Sequence, residues 1–163
     1  MIVVLMGVSG SGKTTIGTLL AERTGATFAD ADDYHPAANK QKMAAGIPLT
    51  DEDRAPWLET LNGVLSGWFT AGQSGVLACS ALKAKYRDSL AHGMPPRTVT
   101  FCLLELSRAE LEQRLAKRHH EYMSPNLLES QLATLELPTD ALVVVNDRPE
   151  NVVVTEILNK LGQ

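Results

Sequence analysis

The apolar run MIVVLM, residues 1–6, passes directly into GVSGSGKTT, residues 7–15, and this junction constrains the chain more than any other stretch. Gly7, four further residues, then Gly12, Lys13 and Thr14 give the spacing of a phosphate-binding P-loop. A strand-like run before it and a helical period after it are the context that pattern requires. The chemistry accounts for the residue types. Clustered phosphate oxygens need backbone N–H donors that no side chain obstructs, and the positive end of a helix adds to them. Gly7, Val8, Ser9, Gly10, Ser11, Gly12, Lys13, Thr14 and Thr15 are therefore expected to hold ATP. Lys13 would reach the β- and γ-phosphates as a catalytic cation, and the Thr14 hydroxyl would bind Mg²⁺.

Beyond this unit, short β-branched runs alternate with longer stretches of helical period. ATFADAD, GVLACS, RTVTFCLLE and ALVVVN read as four further strands. Ser107 and Glu110 form a capping box that opens a helix over 107–118, and Pro125 opens another from its first position. Alternating β and α predicts an α/β fold: a parallel sheet with right-handed crossovers and helices on both faces. The 163 residues are expected to form one domain over 1–163, long enough to bury roughly two thirds of the unfolded surface. Two segments break the alternation. Residues 33–74 insert helical material that is expected to form a substrate cap, and 118–124 (RHHEYMS) are expected to form a mobile lid. His119 and His120 are adjacent and cannot face one metal ion from a helix, so they are assigned to lid polarity.

A net charge of −4 gives no electrostatic reason to bind nucleic acid or an anionic membrane, and a small soluble partner is expected instead. Cys79 and Cys102, each in an apolar run, are expected to be reduced core thiols. The first strand begins at Ile2, and no apolar run approaches the roughly 20 residues of a membrane span, so a cytoplasmic location is expected.

Absences and presences together sort the nucleotide-binding machines. No Asp has Gly three residues later, and the Asn39-Lys40-Gln41 run continues with Lys42 rather than Asp, so both marks of a regulatory GTPase are missing. Asp30 and Asp32, two apart at a strand end, are expected to point to one face at the carboxyl edge of the sheet, where open α/β sheets bind ligands. Asp30 would hold Mg²⁺ through its water, while Asp32 would accept a hydrogen bond from the hydroxyl to be phosphorylated. Arg114 and Arg118, at i and i+4, can share one anionic target, with Arg118 entering the catalytic set on lid closure.

GVSGSGKTT, DADDYHPAANKQKMAAGIPLTDEDRAPWL, CSALKAKYRDSL and LLESQLATLE ahead of LVVVN together resemble the gluconokinases over nearly the whole chain. The resemblance implies the three-layer P-loop kinase fold of shikimate and nucleoside monophosphate kinases, with a five-stranded parallel sheet. It implies transfer of the γ-phosphate of ATP to O6 of gluconate, yielding 6-phosphogluconate and ADP. By the same likeness Pro149 and Arg114 would flank the adenine, and the acceptor would meet Asp32, His35, Arg54, Ser80 and Lys83. Arg54 is the first choice for a clamp on the substrate carboxylate, with Asp53 expected to orient it and Trp57 to exclude water. The family often has Gly where this chain has Ala31, which puts the shape of that turn in question. The family often forms dimers, so a homodimer is an expectation of the resemblance alone. Two alternatives stand beside this reading: a kinase of another small hydroxy acid such as shikimate, and a nucleotide-binding module that phosphorylates no small molecule.

Overall fold

The computed structural model describes residues 1–117 and 125–163. Five parallel strands lie in the order β2-β3-β1-β4-β5, with β1 (Ile2–Met6) at the centre, β2 (Thr27–Asp30), β3 (Gly75–Ala78), β4 (Val99–Glu105) and β5 (Leu142–Val145). All five expected strands are present. The continuous apolar character of β1 follows from helices on both of its faces, which leave Val3, Val4, Leu5 and Met6 fully buried.

Strand alternation sends β1 side chains to two separate cores. Val3 and Leu5 pack with Ile16 and Leu20 of α1 (Lys13–Thr24) and with Val153, Val154 and Ile157 of α7 (Glu150–Leu161). Val4 and Met6 face Trp57, Leu61 and Leu65 of α3 (Asp51–Thr70) and Leu90 of α4 (Ala84–Ala91). Truncating a buried leucine such as Leu61 to Ala in a core of this kind costs about 2–5 kcal/mol. Both thiols are free and buried, and burial pushes each up to about 12.

The insertion between β2 and β3 begins with a 3₁₀ turn, Ala31–Tyr34, followed by α2 (Ala37–Ala44) and the 20-residue α3. The N-terminus of α3 is held by the reciprocal bonds of Thr50 and Asp53, at 2.9 and 3.1 Å. α5 (Arg108–Ala116) starts where expected, with Ser107 Oγ accepting from the Glu110 N–H at 3.2 Å, but it ends two residues before 118. α6 (Pro125–Thr134) begins at the expected proline. Val8, Leu82, Leu111 and Leu128 form a third, smaller core joined by Leu115, Leu132 and Leu135. It packs α5 and α6 onto the tip of the phosphate loop.

Candidate active site

The phosphate loop owes its path to glycine. Gly7, Gly10 and Gly12 have φ of 145, 85 and 95°, where a Cβ is strained. Space forbids one as well: a Cβ on Gly12 would lie 2.4 Å from Asn146 Nδ2, and one on Gly7 would lie 2.8 Å from Ser11 Oγ. The Ser11 side chain thus points inward. Its hydroxyl is buried without a hydrogen-bond partner among the described residues, so only its main chain can serve a ligand. Lys13 Nζ lies within the loop, donating to Gly7 O at 2.9 Å and Val8 O at 3.1 Å.

Thr14 and Asp30, expected to share a metal, meet directly: Thr14 Oγ1 donates to Asp30 Oδ2 at 2.9 Å. The other oxygen of Asp30 accepts from the Asp32 N–H at 3.0 Å and caps the 3₁₀ turn. Asp32 therefore stands on that turn and not on the strand, so the alternation argument for its direction does not apply. It is still brought beside Asp30, and its side chain is 85% exposed. Ala31 has a negative φ, since Ala81 and Arg97 alone depart from this among the described non-glycine residues, so the turn needs no glycine there.

His35 packs flat on Trp57, with ring centroids 4.2 Å apart, and the Trp57 indole N–H donates to Ala31 O at 2.7 Å. These contacts tie α3 to the Asp30–Asp32 turn. Asn39 Nδ2 donates to Asp53 O at 2.9 Å, which fixes it as the amide nitrogen, and it lies 3.2 Å from His35 Nδ1. That ring nitrogen must therefore accept, placing the proton on Nε2, 4.0 Å from Asp32 Oδ1. Burial, and then the charges of Arg54 and Lys40, lower His35 to about 4, so the ring is neutral at pH 7.

Asp53 does not orient Arg54. Its carboxylate is occupied by Lys42 Nζ at 2.8 Å and by the Thr50 N–H, and these bonds, Lys42 first, hold it at about 2. Arg54 is positioned by Leu49 O at 2.9 Å and Tyr86 OH at 3.2 Å, with its guanidinium 5.4 Å from the Tyr86 ring centroid. Lys83 Nζ lies 5.6 Å from the same centroid, so the two expected acceptor cations flank one aromatic ring. Sequence reasoning missed the hub that organises them. Asp51 accepts from Tyr86 OH at 2.6 Å and from Lys85 Nζ, with Lys83 Nζ 3.7 Å away. Those hydrogen bonds, Lys85 first and Tyr86 next, hold Asp51 at about 2, while burial and then the bond to Asp51 raise Tyr86 to about 12. Asp51 heads a run of three acids at a helix start, which reads as ordinary dipole complementation and gave no separate signal.

Ser80 enters through its main chain, its carbonyl accepting from the Gly7 N–H at 3.2 Å and joining the β3 loop to the phosphate loop. On the other side, Gly12, Thr15, Arg114, Asn146 and Pro149 line one pocket of about 550 Å³. Arg114 and Pro149 are thus brought together with the phosphate loop. Arg114 Nη2 donates to Asn146 O and Asn146 Nδ2 donates to Ser11 O, both at 2.7 Å. Arg118 and the lid segment 118–124 lie outside the described residues.

A strand, a glycine-shaped loop and a helix, with a Thr–Asp oxygen pair at the helix start and cations across the cleft, define a P-loop kinase. The chain matches a family model described as an AAA domain over residues 2–138. It is 45% identical to a gluconokinase of Gluconobacter oxydans over 95% of this chain and 88% of that one. The crystal structure of a gluconokinase from Sinorhizobium meliloti superposes with a TM-score of 0.87 at 39% identity, covering 98% of this chain and 90% of that one. A shikimate kinase from Aquifex aeolicus, at 20% identity and a TM-score of 0.61 over 99% of this chain and 96% of that one, shares the fold alone. The chain belongs to the gluconokinase family. Its family entails the use of ATP. No helix among the described residues is long and apolar enough to cross a membrane.

Proposed function

We propose that the chain is an ATP-dependent gluconokinase whose phosphate loop, Asp30–Asp32 turn and Arg54–Tyr86–Lys83 cluster act on one acceptor. The observation that carries the assignment of roles is the Thr14–Asp30 bond beside an exposed Asp32. It supports a division of labour in which one carboxylate serves a cation and its neighbour serves the acceptor hydroxyl. The pair offers hard oxygen ligands, and no group of three or more acidic, His or Cys side chains competes with it among the described residues. That donor set suits Mg²⁺, which is held by one or two protein oxygens together with phosphates and waters and neutralises charge on the phosphates.

The residues of the chain then act as follows. Backbone N–H groups of the loop and Lys13 bind the phosphates, and Arg114 and Pro149 flank the base. Asp32 accepts the proton of the acceptor hydroxyl as its oxygen bonds to phosphorus and the bond from phosphorus to the β-phosphate oxygen breaks. The neutral His35 Nε2–H, 4.0 Å from Asp32 Oδ1, is a donor suited to a hydroxyl held at Asp32. Arg54 and Lys83 bind the carboxylate of gluconate, and Ser80 and the cap segment 33–74 complete the acceptor wall. Arg118 joins from the lid segment 118–124 and shields the transferring group from water. The two free thiols fit a reducing, cytoplasmic setting. A homodimer is the further expectation, which sedimentation of the purified chain would settle.

The test is ADP release with Mg²⁺ and ATP across a panel of sugar acids, shikimate and glucose. Gluconate should give the highest kcat/KM. A higher value for another acid would replace the acceptor, and ATP binding without turnover of any panel member would return the chain to the class of binding modules.

A further inference from the structure

α6 and the two residues after it touch both halves of the site. At its middle, Gln131 makes a reciprocal pair with Ser9: the Ser9 N–H donates to Gln131 Oε1 at 2.8 Å, and Gln131 Nε2 donates to Ser9 Oγ at 3.1 Å. A flipped amide would set Nε2 against the N–H, so the pair admits one orientation. Five residues on, Glu136 holds the acceptor loop. Its N–H donates to Leu82 O at 2.8 Å, its Oε1 accepts from the Ala84 N–H at 2.7 Å at the start of α4, and its carbonyl accepts from Arg87 Nη2 at 2.9 Å. The other arm of the buried Arg87 donates to Ala81 O at 2.7 Å. Ala81 has φ of 47°, a conformation that a residue with a Cβ keeps only under external constraint. Leu128, Leu132 and Leu135 of the same segment pack with Val8 of the phosphate loop and Leu82 of the acceptor loop, so the polar contacts sit on a shared apolar seam.

We infer that this segment couples the two sites, with Gln131 and Glu136 as its positioning residues. Phosphate binding must adjust the loop at Ser9, and a packed helix passes a shift at one end to the other because close-packed contacts cannot absorb it. The loop at 81–84 then takes the shape that receives the acceptor. By linkage the effect is reciprocal, so the acceptor strengthens nucleotide binding by the same factor. The assignment of the acceptor to that loop rests on the kinase reading above, whereas the coupling itself does not.

The test is amide hydrogen exchange across 81–87 with and without Mg²⁺ and a non-hydrolysable ATP analogue, together with gluconate titrations in both states. In the wild-type protein the analogue should slow exchange across this loop by about fivefold and tighten gluconate by about tenfold, within the usual range of site coupling. Gln131→Leu keeps the helix and its apolar neighbours but removes both bonds to Ser9. It should reduce both responses to within about twofold while leaving gluconate affinity without nucleotide unchanged. Glu136→Ala removes the carboxylate bond to the Ala84 N–H and leaves the two main-chain contacts to Leu82 and Arg87. It should reduce both responses by at least about twofold, whatever its effect on gluconate affinity without nucleotide, and added to Gln131→Leu it should lower them no further because the two act in series. An undiminished nucleotide response in folded Gln131→Leu or Glu136→Ala, or none in the wild type, would overturn the inference. A wild-type loop that responds to the analogue in a protein that binds no gluconate would overturn the acceptor assignment and leave the coupling standing.

Discussion

Asp30 and Asp32 are both carboxylates at one edge of the sheet, and their surroundings divide them. Asp30 is committed twice, to Thr14 and to the backbone of the turn, whereas the Asp32 carboxylate stands 85% exposed beside the His35 ring. Asp32→Asn should therefore lower kcat by about 100-fold or more with little change in ATP affinity, because the amide keeps the shape but cannot take a proton. A KM change at constant kcat would reduce Asp32 to a binding contact. His35 permits a prediction with a worked sign. Its folded pKa of about 4 lies below the ordinary 6.5, so the unfolded chain binds the proton first as pH falls, and stability is lost below about 6.5. Between pH 7.5 and 5 this amounts to on the order of 2 kcal/mol. Urea unfolding at the two pH values should show a loss smaller by that amount in His35→Asn than in the wild type, and parallel losses would mean that the ring is not held neutral. The residue types of the site were legible in the sequence. The partner of Asp53 was not, because Lys42 and Arg54 are both cations within reach of an acid at that position and only the fold chooses between them.

At the scale of elements, α3 carries stability, and under the proposed reading it carries specificity as well. Arg54 and Trp57 are three apart and share a helix face; Trp57 fixes that face to Ala31, and Arg54 meets Tyr86. If Arg54 clamps the carboxylate, glucose leaves the guanidinium without that anion and with only its Leu49 and Tyr86 contacts, and gluconate should be preferred by at least about 30-fold in kcat/KM. Arg54→Lys should erode that preference by about tenfold, since an ammonium cannot make the planar two-bond contact. Undiminished discrimination would move the role to Lys83. Two glycines test the packing of the same region in opposite directions. A Cβ on Gly75 would fall 2.1 Å from the Trp68 ring, so Gly75→Ala should destabilise by about 1–3 kcal/mol. A Cβ on Gly63, inside α3, would meet nothing within 4 Å, so Gly63→Ala should stabilise by about 0.5–1 kcal/mol. Thermal unfolding of the two variants checks both signs. α3 itself was visible as helical material within the insertion 33–74, but its Thr50–Asp53 cap and the 3₁₀ turn before it were not. Four residues give no period to read, and that turn decides where Asp32 stands.

For the molecule as a whole, the sheet was legible because each strand is a short β-branched run bounded by turn residues, and because parallel strands buried on both faces leave near-continuous apolar sequence. What escaped was the set of contacts between distant segments. Gln131 and Ser9 lie 122 positions apart, and the only local sign of their pairing is a polar residue within a helical stripe of Leu128, Leu132 and Leu135. Those contacts gather the phosphate loop, the acidic turn, the acceptor loop and the nucleoside pocket at the carboxyl ends of the strands, where one transfer reaction can use them together. The most direct test of that reaction is ³¹P NMR of the purified chain with ATP, Mg²⁺ and gluconate. The account predicts one new phosphomonoester per ADP formed, its phosphorus coupled to the two methylene protons of the primary alcohol at C6. ADP accompanied only by inorganic phosphate, or an ester coupled to a single carbon-bound proton, would contradict it.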